Sequence, residues 1–154
     1  MAAFTDIAEA DFLDLFFTNA AWLLVGDAGG LRDSATAGDL FASLHTGDNI
    51  GDTSTIQTDN EGTYTGYARD AIARSTSGWS VSGTSPTIVD NDNLLQFGEM
   101  TAGGPVTITD VALGELVSTG GAMWIHGQVT PPDLVINDGV NPQFIAAALS
   151  VAIA

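Results

Sequence analysis

The chain of 154 residues has no cysteine and no lysine, and apart from two histidines its basic side chains are Arg32, Arg69 and Arg74. Without cysteine there is no disulfide framework, no thiolate zinc site, no iron–sulfur cluster and no Cys nucleophile. Without lysine there is no Walker-type phosphate loop. Three arginines cannot supply the clustered phosphate contacts of a nucleic-acid binder, and an anionic membrane surface is disfavoured for the same reason. No apolar run approaches the roughly 20 residues that span a bilayer. The opening MAAFTDIAEADFLDLFF carries acids at Asp6, Glu9, Asp11 and Asp14 where a secretory signal needs bases, so a soluble protein without a leader is expected.

What is present is acid: 19 Asp plus Glu give a formal charge of -16. Only 14% of residues are charged and 45% are hydrophobic, which separates the chain from a disordered acidic tail and allows a packed core. The length suits a single domain over residues 1–154, burying roughly two thirds of the surface its unfolded chain exposes.

Residues 1–19 predict a short amphipathic helix, with Ile7, Phe12, Leu15 and Phe16 near one face and Asp6 and Glu9 placed for a capping box. LFASLH (40–45) alternates as a strand does. Residues 46–62, TGDNIGDTSTIQTDNEG, form a long polar loop of a kind that orders against a partner or an ion. YTGYARDAIAR reads as a long strand whose Gly66 marks a bulge or a close backbone approach. Short apolar stretches follow at 79–81, 87–89, 94–97, 106–113, 122–129, 134–136 and 144–153, with Gly, Pro, Asn or Asp in nearly every gap. Such spacing predicts a mainly β protein, an antiparallel sandwich or jelly roll with one N-terminal helix. The apolar phase flips between Ile108 and Val111, so a bulge is expected near Thr109 and Asp110. Trp124 and His126 share a face of their strand. An exposed Trp124 would be an interaction residue, but the expectation is that a loop covers this sandwich edge and buries it. FIAAALSVAIA alternates and is read as strand.

The catalytic inventory is thin. His45 and His126 lie on separate strands and no serine sits in a GxSxG elbow, so both read as structural or solvated histidines. Paired carboxylates raise glycosidase chemistry, but nothing local marks one as protonated or paired. Asp90–Asn93 and the region of Asp48 and Asp52 offer hard oxygen ligands for Ca²⁺, yet the EF-hand pattern fails at Leu95 and Thr101, and ordinary β-turns are the plainer reading. No catalytic residue, metal or cofactor is therefore expected. Each arginine is expected to have a carboxylate partner within its own chain.

FFTNAAW (16–22), GDAGGLRDSATAGDLFASLHTGD, YTGYAR (64–69) and RSTSGW (74–79) together resemble small virion structural proteins of siphophages and prophages, described as tail-fibre-like, minor structural or capsid-associated. The resemblance runs from about Phe16 to the C-terminus and is strongest through Trp79. It implies a non-enzymatic, β-rich virion protein. Of the positions open to such a protein, the expectation is a capsid cement or decoration protein, a homotrimer bridging major capsid protein subunits on the capsid exterior. The alternatives are a tail fibre, tail tube or tail terminator component, or a carbohydrate- or receptor-binding module with Trp79 and Trp124 as the candidate exposed aromatic platform. Interface candidates are Phe12, Phe16, Trp22, Tyr64, Tyr67, Arg69 and Trp124. The apolar ends either complete a neighbouring copy or fold back on their own domain.

Overall fold

The computed structural model describes residues 4–22, 30–47, 50, 54–84 and 86–153. Their elements are α1 (Asp6–Leu13), a π-helical turn (Asp14–Thr18), β1 (Asp39–His45), β2 (Asp70–Ala73), β3 (Trp79–Ser82), β4 (Thr87–Asn91), β5 (Leu95–Gln96), β6 (Val106–Ile108), β7 (Asp110–Gly114), β8 (Met123–Gln128), β9 (Leu134–Ile136), β10 (Gln143–Phe144) and β11 (Ser150–Ile153). The sheets run β2-β1-β7-β8, β11-β4-β3, β6-β9 and β10-β5. The β1–β7, β7–β8, β3–β4, β4–β11 and β6–β9 pairs are antiparallel. The protein is thus mainly β and antiparallel with one short N-terminal helix, as its turn punctuation predicts. No described helix is long and apolar enough to cross a membrane.

Contacts divide the chain into two compact units. Unit 1 comprises Met1–Asp39, Ala73–Leu94 and Phe144–Ala154; unit 2 comprises Leu40–Ile72 and Leu95–Gln143.

In unit 1 the buried face of the helical segment is Glu9, Leu13 and Phe17, spaced by four. This corrects the expected face: Ile7 is 77% exposed and Phe12 projects outward. The physical reason is packing: residues four apart share a helix face, and the contacts of the helical segment with β3 and β4 select the Glu9, Leu13 and Phe17 stripe over the one containing Ile7 and Phe12. The expected capping box is also absent. Thr5 caps without a side-chain bond, and the Glu9 carboxylate is buried, accepting from the Thr87 hydroxyl at 3.1 Å. Trp79 and Val89 complete this small core.

Arg74 closes the helical segment. Its guanidinium donates to the carbonyls of Phe16 (2.7 Å), Leu15 (2.9 Å) and Ala37 (3.0 Å). Helix ends leave carbonyls unpaired and carry partial negative charge, so a cation here serves in place of the carboxylate pairing expected for it. The segment read as one C-terminal strand is instead β10, a turn and β11. Asn91 imposes that turn: its side chain donates to the Asn93 and Ile145 carbonyls and accepts from the Leu149 N–H, while its backbone carbonyl accepts from Ala147. Asp90 and Asn93 bond Ser150 and the Ser77 carbonyl. The Asp90–Asn93 run thus works as a staple.

In unit 2 the core gathers Leu44, Phe97, Met100, Ile108, Leu113 and Ile136, each almost wholly buried. β1 is buried on both faces from Ala42 to His45. The phase change near Thr109 is more than a bulge: β6 pairs with β9, and β7 pairs with β1 and β8. The long strand expected from Tyr64 does not form before Asp70, because Thr65 and Gly66 turn against residues 98–102. A Cβ on Gly66, at φ +102°, would meet the Glu99 carbonyl, which is the close approach its position suggested. The described part of the polar segment is tied down. Gln57 is fully buried, Glu61 bridges His45, and Thr46 bonds the Asn60 carbonyl. Asp48 and Asp52 lie outside the described residues.

Candidate functional site

Tyr64, Tyr67 and Arg69 form one internal cluster of unit 2. Glu61 Oε1 accepts from Arg69 Nε at 2.7 Å and from the Tyr67 hydroxyl at 2.8 Å, and Oε2 accepts from Arg69 Nη2 at 2.8 Å. Arg69 Nη1 donates to the Leu116 carbonyl at 2.8 Å. Both side chains of this bidentate pair are buried, and the bond to Glu61 pushes the guanidinium pKa further up. Burial raises the Tyr67 phenol well above its ordinary value although it accepts from the Leu44 N–H, and raises Tyr64 to about 12. Tyr64 shares its proton between the Phe97 and Gly98 carbonyls. The rings pack Tyr64 to Tyr67 edge-on at 5.3 Å and Tyr67 over Phe97 at 6.4 Å. Three of the seven interface candidates therefore spend their polar atoms on holding residues 61–69 to residues 97–98 and 116. A depression of about 280 Å³ opens beside them, walled in part by Val117, Ser118 and Thr119.

His45 is fully buried, with Nδ1 2.8 Å from the Asp59 carbonyl and Nε2 2.8 Å from the Ser43 hydroxyl. A carbonyl only accepts, so Nδ1 carries the proton and Nε2 accepts from Ser43. Desolvation lowers the His45 pKa below 6.5. The pairing has the form of a Ser–His dyad, yet neither member has any exposed surface, and its role is to tie β1 to the turn at Asp59.

The other four candidates face outward to different degrees. Phe12 is 38% exposed and Phe16 and Trp22 are half-buried, all in unit 1. Phe4, Phe12, Phe16, Phe17 and Trp79 form a continuous row with successive centroids 6.3, 6.4, 5.0 and 4.7 Å apart, from exposed Phe4 to buried Trp79. Trp22 bridges Leu31 through its backbone. In unit 2, Trp124 is 54% exposed on β8, the outer strand of its sheet. The expectation that a loop buries it is corrected: no described segment covers that face.

Sequence reasoning missed a second opening, in unit 1. A groove of about 400 Å³ runs between the helical segment and β3, with Asp14 and Thr18 on one wall and Thr76, Ser80 and Ser82 on the other. Trp79 also lines it, and its indole N–H is the buried side-chain polar atom without a partner among the described residues. The alternation Trp79, Ser80, Val81, Ser82 puts Trp79 and Val81 on the buried face of this outer strand, so Trp79 is no exposed platform, and Ser80 and Ser82 on the opposite, exposed face. No group of three acidic or histidine side chains among the described residues could hold a metal ion.

A family model described as Podophage GP4 fiber I protein gp80 matches residues 3–152. No curated protein matches the chain.

Proposed function

The chain belongs to the podophage GP4 fiber I protein gp80 family of tailed-phage virion structural proteins, and from that premise we propose that it is a tail-associated fibre component. The observation that carries this reading is the extent of the match, which takes in all but the first two and last two residues. The capsid-cement role expected from the sequence loses its support, because the family's description is of a fibre. The resemblance pointed to siphophages and prophages, and the matching family is named for a podophage.

Its work is mechanical and non-enzymatic: copies pack against one another, as a homotrimer, and against neighbouring virion proteins. Apolar side chains already outside the core support this, notably Phe4, Ile7 and Phe12 on the helical segment and Trp124 on β8. Cations support it by their scarcity. Arg69 and Arg74 are committed to internal bonds, so intersubunit ion pairing has little to draw on. Copies of charge -16 repel one another, and salt screens that repulsion while leaving apolar contacts intact.

Gold-labelled antibody against this protein on intact virions tests the position: label at the tail is expected, and label over the capsid faces would restore the cement reading. Light-scattering mass of the purified protein tests the contacts. Mass should rise with ionic strength, and dissociation on adding salt would show that ion pairs hold the assembly.

A further inference from the structure

The β11-β4-β3 sheet of unit 1 has no strand beyond β3 or beyond β11 among the described residues. Its hydrogen bonds fix which backbone groups these two edges leave open. The Asp92 N–H donates to the Gly78 carbonyl at 2.9 Å, across the β3–β4 pair, whereas the Trp79 N–H turns the other way, to the Ser75 carbonyl at 3.1 Å. An antiparallel ladder alternates, so Val81 aims its N–H and its carbonyl away from β4, into the groove it lines beside the helical segment. At the other edge the Asn91 N–H donates to the Leu149 carbonyl at 3.2 Å, and the same alternation turns the backbone groups of Ser150 and Ala152 away from β4. An open edge is a template for another strand.

Charge and side-chain order select that strand. Identical copies of charge -16 repel, so they meet where acids are missing. Residues 71–89, which contain β3, and residues 139–154, which contain β11, hold no Asp or Glu. Val81, Val89 and Val151 lie in one row across the sheet, and Ser80, Asp90 and Ser150 in the next. Both outer strands run antiparallel to β4 and therefore parallel to each other. A copy related by an axis along the strands keeps that direction and those faces. Its Val151 and Ile153 then fall on the Val81 side, where Ala10 also lines the groove, and its Ser150 and Ala152 fall on the exposed side with Ser80 and Ser82.

Resting on the homotrimer reading, we propose that β11 of one copy pairs in parallel with β3 of the next, seated in this groove and joining the unit 1 sheets around the ring. In the register set by the rows, the Val81 N–H donates to the Ser150 carbonyl of the next copy, and the Val81 carbonyl accepts from that copy's Ala152 N–H, the slanted bonding of a parallel ladder. Each copy supplies one β3 edge and one β11 edge, so a closed ring leaves neither open.

The chain has no cysteine, so an engineered disulfide reports this one contact. Ser80→Cys and Ser150→Cys stand at exposed positions whose Cα atoms, in the proposed pairing, lie about 4.8 Å apart between copies, within the roughly 4.4–6.8 Å a disulfide spans. Within one copy β4 separates them by two strand spacings, about 9.6 Å. Oxidised at high salt, a mixture of the two variants should give a covalent dimer that neither gives alone, and a chain carrying both should close into covalent trimers. Ala152→Pro removes an outward N–H at an exposed edge position, and should cut the light-scattering mass about threefold, to a single chain, with the circular dichroism of the fold retained. A disulfide formed by either single variant alone joins like edges and overturns the proposal. So does an oligomer in which the mixture stays uncross-linked, or whose mass Ala152→Pro leaves unchanged, although the homotrimer reading then stands. A single-chain mass for the unaltered protein at every salt concentration overturns both.

Discussion

Unit 2 and unit 1 differ in how completely they pair their buried ionisable and aromatic polar groups. In unit 2 the Glu61 carboxylate has three donors, Arg69 is engaged through three nitrogens, and both nitrogens of His45 are paired. In unit 1 the buried Asn91 is fully bonded, but the buried Glu9 has one hydroxyl partner, the Trp79 N–H has none among the described residues, and an aromatic row runs out to solvent. A closed network fixes a backbone course and leaves nothing for a ligand. An open one sacrifices stability by leaving hydrogen-bonding capacity unused. The scarce cations follow this division: Arg69 neutralises a buried acid, whereas Arg74 caps carbonyls at a helix end.

The largest test of the contrast is Arg69→Met. It strands Glu61 without its counter-charge in the interior and should cost about 3–5 kcal/mol in denaturant unfolding, with most of the loss recovered when Glu61→Gln is added. A cost below about 1 kcal/mol would mean that unit 2 is no more tightly closed than unit 1. Arg74→Met should cost less, about 1–3 kcal/mol, because the carbonyls it frees are half-buried and water replaces part of what is lost. Amide exchange should locate that loss within residues 13–18, and a loss spread over unit 2 would break the separation drawn here.

The smallest effect is on pH dependence. The folded pKa of His45 lies below its ordinary 6.5, so the unfolded chain binds the extra proton first as pH falls. The stabilisation is complete above about pH 6.5 and is lost progressively below it, at a slope of at most about 1.4 kcal/mol per pH unit. His45→Gln should flatten that slope between pH 7 and 5, and a slope unchanged by the substitution would assign it to the carboxylates.

Legibility in the sequence followed the range of the forces involved. β1 and the break after Ile108 were visible because period-two alternation and its phase flip are local properties of the chain. The helix was visible as an element but its buried face was not, since Ile7 and Phe12 fit an α-helical stripe and only packing against β3 and β4 selects Glu9, Leu13 and Phe17. Tyr64 to Arg69 has strand-forming residues, and the approach of Glu99 to Gly66 overrides them. Among the candidate residues, Tyr64, Tyr67 and Arg69 were singled out as a distinctive string, but the carboxylate that joins Tyr67 to Arg69, Glu61, sits in a stretch that reads as loop.

By itself the sequence determined the class of this protein: a lysine- and cysteine-free acidic chain with punctuated apolar stretches folds mainly as β structure, and its strings are those of a tailed-phage virion family. Tertiary structure alone decided what each scarce side chain does. Arg69 received a carboxylate, Arg74 received carbonyls, Trp124 was left in solvent, and the Trp79 N–H was buried without a partner among the described residues. The physical reason is that composition and periodicity act between neighbours in the chain, whereas hydrogen-bond partners and exposure are set by residues brought together from positions tens of residues apart.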